Sequence, residues 1–275
     1  MQFPLPNEMR MALMALRPVL SEAVIIGGWA HRFHAEHPLA SPTFEPLTTT
    51  DCDIALPLEL AIPGSLSLED SLNQEGFACR LVGNEMGEGR RYVLEDQPEF
   101  YVQFLTRRQG DDRMRKAQEI GGVLAAPLRG IDLALANSVK TDVALGTGEV
   151  ITVKVVSPVA FLIGKLIVSN QPNREDNRAK DLLYVLDTFR LFENAIDELS
   201  DEADKILSSL GKAQSRRLRY SIRTHFEGVG SPTLHQAVEL SSHTGGGRPQ
   251  SEEQFRLIVQ YGIQFLLGKE WAPEK

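Results

Sequence analysis

The sequence predicts an α+β fold on three observations. Short strand-like apolar runs recur through the first half, Ser157-Pro158 marks a strong helix start, and helical periodicity dominates after it. A mixed sheet with flanking helices is expected over residues 1–156 and a helical C-terminal domain over 157–275. With 275 residues, 42% hydrophobic and 24% charged, the chain can bury a sizeable core and has the balance of a globular protein.

The elements follow in order. Apolar residues at Met9, Leu13, Leu16 and Leu20 predict a helix from Asn7 to Leu20, with Asn7 as its cap. Ala23 to Ile26 reads as a short strand ending in Gly27-Gly28, with a helix from Trp29 to about His37. Prolines 38, 42 and 46 with a run of threonines make Pro38 to Thr50 a loop, either a lid or a plain insertion, before a strand from Asp51 to Pro57. Ser67 with Asp70 predicts a capping box. Strands are expected at Phe77–Val82, Arg90–Leu94, Phe100–Leu105, Val123–Ala126, Thr141–Ala144 and Val150–Val155, with a turn at Gly146-Thr147-Gly148 and a charged, exposed stretch from Arg107 to Lys116.

Serine as a cap and proline at the first helical position open the second half at residue 157. Helices are predicted over 158–169, 175–189, 191–209, 212–226, 232–240 and 251–268, with Ser241 to Gln250 as a flexible linker around three glycines.

The totals exclude several function classes. A net charge of −8 argues against broad adhesion to nucleic acid. The apolar run from Val159 to Val168 is broken by Lys165 and falls short of the ~18 residues of a membrane span. No secretory signal is visible at the N-terminus. Two cysteines, Cys52 and Cys79, make no disulfide framework, so a cytoplasmic location is expected.

Chemistry is concentrated in Asp51-Cys52-Asp53. Side chains alternate along a strand, so Asp51 and Asp53 point to one face while Cys52 and Ile54 point to the other. Adjacent carboxylates repel unless a cation lies between them, and Mg²⁺ takes oxygen ligands of this kind while keeping sites open for phosphate.

A strand ending in Gly27-Gly28, a helix, then Asp51-x-Asp53 on a second strand resembles the DNA polymerase beta-type nucleotidyltransferase superfamily. Val102 to Thr106 resembles the strand that carries its third carboxylate, and Ser157 to Leu166 with Arg178-x-Lys180-Asp181 resembles the helical region of the bacterial branch that includes the AbiEii-like toxins. The likeness spans roughly residues 24–187. It implies a nucleotidyltransferase-type mixed sheet and transfer of a nucleoside monophosphate from an NTP to a hydroxyl of RNA or protein. A toxin role, with an antitoxin partner, is the finer expectation. Asp51 and Asp53 would hold Mg²⁺ or Mn²⁺, and Gly27 and Gly28 would cradle the triphosphate. Thr50 would brace the first carboxylate, while Lys165, Lys180 and Asp181 would line the nucleotide pocket, the two lysines as phosphate counter-charges. Lys165 interrupts an apolar helix, so its buried ammonium needs an anion; snorkelling to solvent is the alternative.

Position 103 departs from that pattern, because glutamine stands where the third carboxylate is expected. Its amide oxygen cannot supply the missing charge to a second ion. Glu99 lies on the same strand face but four residues away, about 13 Å, too far to substitute. The alternative function is therefore a catalytically weakened nucleotide-binding sensor or interaction protein on the same fold.

Two other patterns remain. His31, His34 and His37 recur every third residue, expected to form a partly exposed helix face. Arg216, Arg217, Arg219 and Arg223 surround Tyr220, a combination that grips nucleic acid or, more simply, forms a solvated face balancing Asp201, Glu202 and Asp204.

Overall fold

The computed structural model describes residues 5–47, 49–62, 67–84, 87–108, 117–146, 148–228, 231–244, 248–249 and 251–272. It divides into two compact units: Met1–Glu36 with Thr48–Ser157, and His37–Leu47 with Pro158–Lys275. The units divide after Ser157, and residues 37–47 group with the helices rather than with the sheet.

The first unit is a mixed sheet carrying helices. Its strands are β1 (Val24–Ile26), β2 (Asp51–Leu56), β3 (Phe77–Asn84), β4 (Gly87–Leu94), β5 (Tyr101–Arg107), β6 (Gln118–Ile120), β7 (Val123–Leu128), β8 (Ser138–Ala144) and β9 (Val150–Val156). They run in the order β3-β4-β5-β2-β1-β9-β8, and β7 pairs with both β5 and β6. At the centre, β1 is antiparallel to β2 and parallel to β9, while β2 is parallel to β5. Helices α1 (Asn7–Ala15), α2 (Gly27–His34), α3 (Leu68–Gln74) and α4 (Ile131–Ala136) accompany the sheet. Of these, α2 packs on β1, β2 and β9, and α4 packs on β1, β2 and β5.

The first helix is shorter than the periodicity predicts. It stops at Ala15, and a turn of 3₁₀ helix carries Pro18, which lacks the N–H that would continue an α-helix. Pro6 rather than Asn7 occupies the cap position. The predicted capping box is present: the Ser67 hydroxyl accepts from Asp70 N–H at 3.1 Å, and Asp70 accepts from Ser67 N–H at 3.0 Å. Most of the charged stretch from Arg107 to Lys116, the tip between β3 and β4, and Thr147 lie outside the described residues.

The second unit is built on α5 (Pro158–Val168) and α6 (Arg178–Leu191), followed by α7 (Ser200–Ser209), α8 (Lys212–Phe226), α9 (Pro232–Thr244) and α10 (Glu252–Leu266). Nearly every residue of α6 from Asp181 to Leu191 is buried, and α5, α9 and α10 pack around it. Gly262 of α10 lies tight against α6: a Cβ there would lie 2.4 Å from Phe189 Cδ1. The helix predicted over 191–209 is interrupted at Phe192–Ala195, and only Ser200–Ser209 is α-helical.

The predicted linker from Ser241 to Gln250 takes a different form. Helix α9 continues to Thr244, and Arg248 is buried. The Arg248 guanidinium grips Asp187 of α6 through two hydrogen bonds, Nε to Oδ1 at 2.9 Å and Nη2 to Oδ2 at 2.7 Å. The same group donates to Glu45 O at 2.9 Å and lies 5.2 Å from the Phe44 ring centre. Ser41 N–H donates to Leu191 O at 2.7 Å. Residues 37–47 are thus docked on the helical unit through backbone and side chain, which is a structural role rather than that of a lid. Gly245 to Gly247 lie outside the described residues.

Candidate functional site

Strand pairing sets the site. Ile26 of β1 is opposite Asp53 of β2, and Asp53 is opposite Gln103 of β5. Asp51 and Asp53 are half-buried while Cys52 and Ile54 between and beyond them are fully covered, as the alternation requires. Burial beside the two carboxylates raises the Cys52 thiol far above its ordinary range, so it is inert.

Gly27 lies directly against this ledge. Its φ of +67° is the left-handed region that favours glycine, and a Cβ there would sit 2.2 Å from Asp53 Oδ2. Both conditions select glycine independently. Gly27 and Gly28 open α2, so the first N–H groups of a helix stand beside the acid pair.

Each carboxylate has a neutral neighbour. Gln103 Nε2 donates to Asp53 Oδ1, and Thr49 Oγ1 donates to Asp51 Oδ1. The brace expected at Thr50 therefore comes from Thr49, two residues before Asp51 and just ahead of β2. Thr50 is exposed, and its carbonyl accepts from Tyr101 N–H at 3.2 Å. Gln103 occupies the register position of the expected third acid, opposite Asp53, and contributes an amide.

Tyr101, opposite Asp51, shares this face. Burial and the Asp51 carboxylate raise its hydroxyl pKa, Arg91 opposes them and Asp53 adds to the rise. The Arg91 guanidinium stacks 4.1 Å from the Tyr101 ring centre. Neither residue is evident from local sequence. Tyr101 is recoverable from alternation with Gln103, but Arg91 requires the β4–β5 register.

Lys165, Lys180 and Asp181 belong to the helical unit and form a cluster there. Lys165 Nζ donates to Asp181 Oδ1 at 2.9 Å, with Asp181 1% exposed and Lys165 15% exposed. The same ammonium lies 4.6 Å from the Tyr184 ring centre and 5.4 Å from that of Phe161. The buried cation thus finds an anion inside the protein, and snorkelling is not needed. Lys180 Nζ lies 5.8 Å from the Tyr184 ring.

The histidine series is not a partly exposed face. His31 and His34 are buried, and His34 Nε2 is 2.7 Å from Val156 O, whereas His37 lies beyond the end of α2. The helix turns its third-residue positions inward because it packs on three strands. Among the described residues no group of three or more His, Cys, Asp or Glu side chains is placed to hold a metal ion. The donor set is two carboxylates, which suits Mg²⁺ carried by a nucleotide, since that ion needs one or two protein carboxylates and completes its shell with phosphate and water. No helix among the described residues is long and apolar enough to cross a membrane.

A family model described as a nucleotidyltransferase matches residues 8–208. Among solved structures, that of an antigenic nucleotidyltransferase-like protein from Paracoccidioides brasiliensis aligns with 88% of this chain and 99% of its own at 15% identity and a TM-score of 0.41. No curated protein matches.

Proposed function

Since this chain belongs to the nucleotidyltransferase family, with the match covering residues 8–208, we propose that it transfers a nucleoside monophosphate from an NTP to a hydroxyl acceptor. The observation that carries the reading is the contact of Gly27 with Asp53, which joins a helix start suited to phosphate with an acid pair suited to a cation.

In this reading Asp51 and Asp53 hold Mg²⁺ or Mn²⁺, which would neutralise charge on the phosphate tail during transfer. The N–H groups of Gly27 and Gly28 take phosphate oxygens. Thr49 and Gln103 fix the rotamers of the two acids, and Tyr101 keeps its proton. Arg91 supplies positive charge on the same sheet face; a phosphate-facing role for Lys165, Lys180 and Asp181 rests on the sequence resemblance alone. The acceptor hydroxyl gives up its proton to water as its oxygen bonds to the α-phosphorus and the bond to pyrophosphate breaks. An RNA or protein acceptor, and a toxin paired with an antitoxin, rest on the sequence resemblance alone.

The Gln103–Asp53 hydrogen bond favours a second reading, a nucleotide sensor in which binding outlasts catalysis. Titration calorimetry with ATP, GTP, CTP and UTP plus Mg²⁺, beside a labelled-nucleotide transfer assay, separates the two. Binding with incorporation supports the transferase, and binding without it supports the sensor. Absence of binding to all four, with Mg²⁺ or Mn²⁺, overturns both.

A further inference from the structure

Helix α8 has two unlike faces. Leu218, Ile222 and Phe226 are buried, whereas Lys212, Arg216, Arg219, Tyr220 and Arg223 are exposed. The exposed set falls at i, i+4, i+7, i+8 and i+11, a single stripe along the helix. With Leu210 and Ser215 these five side chains line a groove of about 570 Å³, and among the described residues no acidic side chain lines it. Asp201, Glu202 and Asp204 are not among the residues that line it.

The groove is partly preorganised. Arg219 donates to Glu270 O at 2.9 Å and lies 4.0 Å over the Trp271 ring, which fixes a side chain that would otherwise lose rotamer freedom on binding. Arg223 Nε lies 3.8 Å from Glu227 Oε2, an i,i+4 ion pair. Tyr220 is 62% exposed between Arg216 and Arg223, a large aromatic face held among cations.

We propose that this groove binds single-stranded polynucleotide, the cations following the phosphates and Tyr220 stacking on a base. From residue 212 to residue 223 the stripe rises about 16 Å, enough for about five stacked nucleotides at ~3.4 Å each and too long for one mononucleotide. An acidic peptide would satisfy the charges but would leave the tyrosine ring without a planar partner. Base stacking on an aromatic uses that ring and tolerates any sequence. The proposal stands on the groove and does not require the transfer reading.

The test is fluorescence anisotropy of the full chain with labelled ten-nucleotide oligo-U, oligo-dT and a ten-residue polyglutamate, over a range of KCl. Oligonucleotide affinity should fall with a log–log salt slope of about −3, from four cations at ~0.7 each. Arg216→Gln with Arg223→Gln should weaken binding at least tenfold and roughly halve that slope. Tyr220→Ala should cost about tenfold and Tyr220→Phe almost nothing. Asp53→Asn should bind as the parent does, so a failed transfer assay leaves this result standing. Equal binding of both oligonucleotides assigns the backbone and base faces as the ligand, and a preference for oligo-U adds the ribose hydroxyl. Polyglutamate binding as tight as the oligonucleotides, no oligonucleotide binding at low salt, or indifference to all three variants would overturn the proposal. Melting curves of the variants, whose side chains are exposed, verify the fold.

Discussion

A single atom pair limits what the acid ledge tolerates. Gly27→Ala would add a carbon 2.2 Å from Asp53 Oδ2 at a φ of +67°, so the carboxylate must swing away and the backbone is strained by about 1–2 kcal/mol. Calorimetry should show nucleotide affinity with Mg²⁺ falling at least tenfold and a lower melting temperature. Affinity equal to the parent's would mean that the position of Asp53 does not matter to the nucleotide. Gln103→Glu replaces a donated hydrogen bond with two facing carboxylates. The variant should melt lower than the parent without Mg²⁺, recover with Mg²⁺ as repulsion is screened, and raise any transfer rate; no gain in rate would count against an acid being needed there. Local chemistry made the two aspartates and the two glycines legible, since alternation and a strand-to-helix turn are properties of neighbours in sequence. Thr49 was obscured by the adjacent Thr50, and Arg91 reaches Tyr101 only because β4 pairs with β5, a register that no local pattern specifies.

Elements with one wet and one dry face were the easiest to read, and α8 begins and ends where its periodicity says. Short pieces were not: β6 and α4 carry too few residues to show a period, and α4 starts after Gly130 at φ +87° without a side-chain cap. In α6 the burial is all round, so its polar residues are where energy is concentrated. Arg248→Met should destabilise the protein by about 3–5 kcal/mol in denaturant titrations, because Asp187 would remain buried without its cation. Adding Asp187→Leu should restore much of that loss, since a repacked apolar pair avoids the desolvation of both charges. On α8, burial, reinforced by the Arg178 charge, lowers the pKa of His225 to about 4. Its folded pKa lies below the unfolded value near 6.5, so stability is full above ~6.5 and is lost as pH falls towards 4, by up to roughly 3 kcal/mol. His225→Leu should flatten that part of the stability–pH curve; an unchanged slope would remove His225 as its origin.

At the scale of the whole molecule, the chain crosses between its two units three times, at Glu36–His37, Leu47–Thr48 and Ser157–Pro158. Sequence patterning marks a change of periodicity near the last crossing. It could not reveal the first two, because a proline-rich stretch reads as a loop whichever unit it docks on. A fragment 158–275 should therefore melt well below the full chain by circular dichroism, having lost Glu45 O and Phe44 from Arg248 and Ser41 N–H from Leu191. A separate peptide of residues 37–47, added in excess, should raise that melting point by mass action. Equal stability of the bare fragment would show that the docked segment contributes nothing. The same threading bears on descent. A recombination event that cuts at residue 157 and joins either half to a foreign gene delivers one product lacking a piece of its interior and another burdened with an orphan strip, so lineages should inherit the two units as one indivisible gene.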